Sequence, residues 1–158
     1  MTTLLDPSST SAATEGLEIA TFYLGDALLG IPIEQVEEIN HHVELTPVPH
    51  APASVCGVIN LRGHVVTVID LRTVLGLPRG VITRGTCNVV VRWRGEQIGL
   101  LVDRVGDVVY ASRKEIEAPP ANVAGADGRF FRGVYKMEGK LLVILDIEQA
   151  LSVDLSTE

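Results

Sequence analysis

The stretch GVINLRGHVVTVIDLR, Gly57–Arg72, decides the fold. It is densely aliphatic and is broken once, at Gly63. On either side of that glycine the run is too short for a helix and rich in Val and Ile, which reads as two strands of a hairpin. Glycine at a turn position permits the positive φ that a tight hairpin demands, so Gly63-His64 is the expected turn. Into this apolar frame the sequence sets Asn60, Arg62, His64, Asp70 and Arg72. Those polar residues do chemistry, hold a core together, or face a partner.

Working outward, three more turns of the same kind separate strand-like runs: Gly25-Asp26, Gly95-Glu96 and Gly139-Lys140. The four hairpins are related. Residues 57–75 and 133–151 share Gly, Val, Gly, Asp and Leu at 57/133, 58/134, 63/139, 70/146 and 75/151. More weakly, LGDALLGIPIEQVEEI (24–39) resembles RGEQIGLLVDRVGDVV (94–109). This is the mark of a duplication, with two lobes that each contain hairpin, linker, hairpin and short helix. Lobe one runs from about Leu17 to Leu77 and lobe two from about Thr86 to Leu151. Asp70 and Asp146 would cap the short helices by accepting backbone N–H bonds, a structural role for both. Few-stranded lobes with exposed edges tend to close into small barrels, and two such barrels can bury apolar surface against each other. Residues 1–16, rich in Ser, Thr and Ala, read as a disordered tail, and 152–158 as a C-terminal tail.

Composition narrows the partners. Hydrophobic residues make up 46% of the 158, enough for a packed interior. Twenty acidic residues against 13 basic ones give a net charge of −7, which disfavours nucleic acid and anionic membrane surfaces. The two cysteines, Cys56 and Cys87, form no disulfide framework, and a reduced, cytoplasmic protein is expected. Residues 1–16 lack the features of an export signal, and no apolar run approaches the length of a spanning helix. Any link to a membrane would therefore pass through another protein.

Catalytic patterns are missing. His41, His42, His50 and His64 stand at no ligand-like spacing and read as loop and turn residues. Ser54, Ser112 and Ser152 lie in no GxSxG elbow, and both cysteines read as small core residues. GLPRG (76–80) and GADGRFFRG (125–133) lack the strand-to-helix context of a phosphate loop. Asp103, Asp107 and Asp146 are scattered over strand ends. Neither a metal nor a cofactor is expected. Alternation along the strand puts Ile59 and Leu61 on one face, and Val58, Asn60 and Arg62 on the other. Arg62 has three readings: solvated, paired structurally with Glu37 or Glu38, or an orienting contact at a protein interface.

GVINLRG followed by VVTVIDLR closely resembles the signature of the CheW family, the coupling proteins of bacterial chemotaxis. FYLGDALLGIPIEQVEEI, LTPVPHAPASVCGVINLRG, IGLLVDRVGDVV and GVYKMEGKLLVILDIEQAL extend the likeness over residues 17–151. Thr67 stands where the family usually has proline. The resemblance implies a mainly β fold of two SH3-like β-barrel lobes packed together, with short helices and no enzymatic activity. It implies an adaptor bridging transmembrane chemoreceptors to the regulatory domain of the histidine kinase CheA, cytoplasmic and recruited to receptor arrays. The receptor tip would lie in the groove between lobes. Val36, Glu38, Ile39, Gly57, Asn60 and Arg62 would line it from lobe one, and Gly99, Val102 and Val105 from lobe two. Other readings are an adaptor of another chemosensory pathway, such as pilus motility, and a small β-barrel enzyme using Asp103, His64 and Arg62.

Overall fold

In a computed structural model the described residues are 16–78, 80–123 and 125–155. The chain is mainly β. The first hairpin pairs β1 (Gly16–Leu24) with β2 (Ala27–Pro32), and after one 3-10 turn β3 (Val36–Asn40) follows. The quoted stretch forms β4 (Val55–Leu61) and β5 (His64–Asp70), then one helical turn, α1 (Leu71–Val74). The third hairpin is β6 (Cys87–Trp93) with β7 (Glu96–Val102), followed by short strands β8 (Arg104–Val105), β9 (Val109–Ser112) and β10 (Ile116–Glu117). A small ribbon, β11 (Asn122–Val123) with β12 (Ala126–Asp127), precedes the fourth hairpin, β13 (Phe131–Met137) with β14 (Lys140–Leu145). Helix α2 (Ile147–Leu155) closes the described chain.

Two sheets carry the molecule. Sheet one runs β10-β13-β14-β2-β1-β8, with β9 also paired to β1; sheet two runs β3-β6-β7-β5-β4. Neither sheet is one half of the sequence. The first hairpin joins the fourth through the parallel pair β2–β14, and the second joins the third through the parallel pair β5–β7. The strand after each odd hairpin also crosses over, β3 onto β6 and β9 onto β1. The sheets therefore cut across the division between residues 17–77 and 86–151 that the duplication suggests. Each repeat lends its first hairpin to the other repeat's second. A hairpin edge offers the same row of N–H and C=O groups to any parallel partner, so pairing within a repeat has no chemical advantage over exchange.

Three apolar clusters follow. Leu17, Ile19, Leu28, Ala111, Leu142 and Ile144 fill the concave side of sheet one. Ile59, Leu61, Val66, Val68 and Val90 fill that of sheet two. The largest cluster lies between the sheets, where Phe22, Leu29 and Ile31 meet Ile69, Val89, Ile98 and Leu100. The space between the barrels is therefore packed core.

The turns refine the sequence reading. Gly25-Asp26 does connect β1 to β2, with Gly25 at φ 61°. In the other three hairpins the register is Leu61↔His64, Trp93↔Glu96 and Met137↔Lys140, so the glycine is the second turn residue. Arg62 and Gly63 take φ 52° and 85°, and Arg94 and Gly95 take 52° and 82°, the doubly positive pattern whose twist suits a hairpin. Asp70 accepts from the Arg72 amide at 3.0 Å and Asp146 from the Gln149 amide at 3.1 Å, so both cap their helices. The expected tails lie largely outside the described residues. Gly16, however, opens β1, and the residues from Ser152 to Leu155 continue α2 rather than forming a tail.

Candidate functional site

Sheet two curls until its outermost strands meet. Arg62, at the end of β4, reaches Glu38 on β3, with its Nη2 2.7 Å from Glu38 Oε1. The bridge between Thr46 and Val58 tightens the same closure. Of the two acidic candidates, Glu38 takes Arg62, while Glu37 takes Arg92 in a fork of 2.7 and 3.2 Å. Gln97 Nε2 also donates to Glu37 at 2.9 Å. A bulge between Val36 and Glu38 lets neighbouring glutamates serve different partners. Hydrogen bonds from Arg62 and then Asn40 hold the Glu38 carboxyl below its ordinary range, and those from Arg92 and Gln97 do the same for Glu37.

The surface here is polar with aliphatic islands. Arg62 is 70% exposed and Val65 71%. Asn60 accepts from the Gly63 amide at 3.0 Å and so braces the turn that presents Arg62. A shallow groove of about 560 Å³ runs beside Arg62, His64, Val65 and Arg92.

The sequence-predicted residues separate in space. Glu38, Asn60 and Arg62 gather on this face; Ile39, the next residue of β3, pairs with Val89 and is exposed on the strand's other side, and Val36 is half-buried against the core between the sheets. Gly57, Gly99 and Val102 are interior and line no surface. At Gly57, φ is 152° and a Cβ would stand 2.6 Å from the Thr46 carbonyl oxygen, so its role is to admit the neighbouring backbone. At Gly99 a Cβ would press on Val68 at 3.3 Å. Val102 is 1% exposed between the sheets. Alternation explains both burials, because β7 has packed layers on either side. Val105 is partly exposed but belongs to sheet one, paired with Phe22.

The enzyme trio does not assemble. Asp103 is engaged by Arg72 Nη2 at 2.5 Å and by the Gly25 amide at 2.6 Å, and Arg62 is held by Glu38. His41 Nδ1 lies 3.1 Å from the Thr86 carbonyl oxygen. Among the described residues no three His, Cys, Asp or Glu side chains converge as metal ligands. No helix among them is long and apolar enough to cross a membrane. Sequence reasoning missed Arg92, Gln97 and Val65. The usable signal was alternation, which puts Arg92 on the side of β6 opposite Val89 and Val91, beyond Val90 near the exposed end of the strand.

A mainly β chain that sets ion-paired arginines beside exposed aliphatic side chains has the make-up of a protein-interaction module. Residues 18–154 match the model of the CheW-like domain. The chain is 35% identical to "Chemotaxis protein CheW" of Rhizobium meliloti (strain 1021) over 84% of its own length and 86% of that protein's. It is 33% identical to the "Chemotaxis protein CheW" of Bacillus subtilis (strain 168), covering 93% and 94%. The crystal structure of the scaffolding protein TtCheW from Thermoanaerobacter tengcongensis superposes with a TM-score of 0.79 at 31% identity, over 85% of this chain and 87% of that one. The chain belongs to the CheW family and is a chemotaxis scaffold.

Proposed function

We propose that the face built on Glu38 and Arg62 is where this scaffold grips its partners, the cytoplasmic tip of a chemoreceptor and the regulatory domain of the kinase CheA. The protein couples the two without making or breaking bonds, and it works at membrane-associated arrays to which its partners recruit it. The observation that carries this reading is an exposed, oriented Arg62 beside the uncovered Val65 in one groove. Receptor tips are amphipathic helices. An aliphatic patch can bury their apolar stripe, while a fixed guanidinium sets the register. Weak single contacts suffice because an array multiplies them. Val105, on sheet one, would belong to a second contact area of the assembly.

The test is Arg62→Glu, which sets a carboxylate against Glu38 and reverses the charge a partner meets. The variant should keep its fold, by circular dichroism and melting, and lose capture of receptor fragment or kinase in pull-downs. Normal ternary complexes would refute the assignment of this face. Running the pull-down with kinases of different chemosensory pathways also separates flagellar from pilus signalling.

A further inference from the structure

Asn88 is an interior residue that the interaction face does not obviously need. It sits on β6, 0% exposed, in a strand otherwise buried through valines, and it points to the concave side of sheet two that Val90 also occupies. Its Oδ1 has no hydrogen-bond partner among the described residues, a burden that a valine at this position would not carry. A fold that tolerates an unmatched interior acceptor gains something from the other half of the amide.

That other half points toward the surface. Asn88 Nδ2 donates to the His42 carbonyl at 2.6 Å and to Asn40 Oδ1 at 3.1 Å. A backbone carbonyl only accepts, so the amide of Asn88 has one satisfactory orientation. Asn40 is fixed in turn. Its Oδ1 takes Asn88 Nδ2 and the His42 amide, the latter at 3.0 Å, which leaves its Nδ2 to donate to Glu38 Oε2 at 3.1 Å. With that oxygen held, Glu38 presents Oε1 to Arg62 at 2.7 Å. Gly99 lies beside Asn88: a Cβ there would stand 3.6 Å from Asn88 Oδ1, an ordinary contact.

We propose that Asn88 is a positioning residue for partner binding, an interior amide that acts through Asn40 and Glu38 to set the Arg62 guanidinium in the orientation a partner meets. This rests on the reading of the Glu38–Arg62 face given above.

The experiment measures affinity of full-length protein for the kinase regulatory domain and for a soluble receptor-tip fragment, in a cycle of Asn88→Val, Arg62→Ala and the double variant. Asn88→Val should melt no lower than the parent, yet bind about fivefold or more weakly, the scale of a displaced interface arginine. In the Arg62→Ala background it should add no further loss. A structural role alone would not move the titration of Glu38 measured by carboxyl NMR, which should shift toward its ordinary range as the Asn40 bond is lost. If Arg62→Ala weakens binding and Asn88→Val does not, the proposal is overturned alone. If Arg62→Ala binds normally, the face falls and the proposal with it. Should Asn88→Val fail to fold, Asn40→Ala breaks the same chain nearer the surface: a matching loss of binding supports the proposal, and parental affinity overturns it.

Discussion

Asp103→Asn should loosen the joint between the two barrels. Asp103 follows β7 of sheet two and precedes β8 of sheet one, and its carboxylate ties both sheets. It receives Arg72 Nη2 at 2.5 Å from α1, and the Gly25 amide at 2.6 Å from the first hairpin turn. The Arg72 side chain is only 18% exposed and also donates to the Pro78 carbonyl at 3.1 Å. Asparagine keeps the shape, and an oxygen in the Oδ2 place can still accept from Gly25 and from Arg72 Nη2, but the charge is lost and the amide nitrogen would face Arg72 Nε, which Oδ1 now accepts at 3.4 Å, as donor against donor. A charge-assisted hydrogen bond contributes about 1.5–3 kcal/mol, and breaking a fully buried ion pair costs about 3–5. Asp103 is 33% exposed, so a loss of about 2–3 kcal/mol is expected. At about 2–4 °C per kcal/mol for a domain of this size, the melting temperature should fall by roughly 4–12 °C. The pH dependence is a second check. Burial pushes the Asp103 carboxyl up, but the Arg72 hydrogen bond and the Gly25 amide outweigh it and hold it below its ordinary value. The unfolded chain therefore binds the proton first as pH falls. The stabilisation is fully present above the unfolded value of about 3.9 and is lost as pH drops through the lower folded value. In paired calorimetric scans the gap between parent and variant should be constant from about pH 7 to 5 and close below about pH 4. Equal melting temperatures at pH 7, or a gap that persists undiminished in acid, would show that Asp103 is not the clamp.

The exchanged hairpins make a separate prediction: residues 17–77 expressed alone should show no dispersed amide NMR spectrum, because β2 and β5 lose their parallel partners β14 and β7. A folded fragment would contradict the exchange. Gly57→Ala should cost more than about 1 kcal/mol in urea unfolding, since alanine disfavours that φ and its Cβ meets the Thr46 carbonyl. Leu100→Ala, in the layer between the sheets, should cost about 2–5 kcal/mol while the protein still unfolds in one transition. Burial pushes the Cys87 thiol up, so at neutral pH a thiol reagent should label it only at the rate of global unfolding.

The four hairpins and the two capped helices were legible in the chain itself, because these depend on neighbours along it. Alternating apolar residues, a glycine between them and an aspartate before a helix act over a few residues. The family was legible too, through GVINLRG and VVTVIDLR, while pairing with Glu37 or Glu38 stood as one of three readings of Arg62. The turn register was out of reach by one residue, since glycine suits either central position and only the pairing Leu61↔His64 selects one. Tertiary structure alone decided which hairpins share a sheet, and thereby which residues are surface. The family resemblance implied Gly99 and Val102 as groove residues. They are interior because β7 lies between β6 and β5, with packed side chains on both of its faces. The choice between Glu37 and Glu38 likewise came from a bulge and from the meeting of β3 with β4, whose facing residues lie 24 positions apart in sequence, 38 to 62. Contacts over that distance depend on how the sheet closes, and sheet closure is a property of the assembled core that no local pattern encodes.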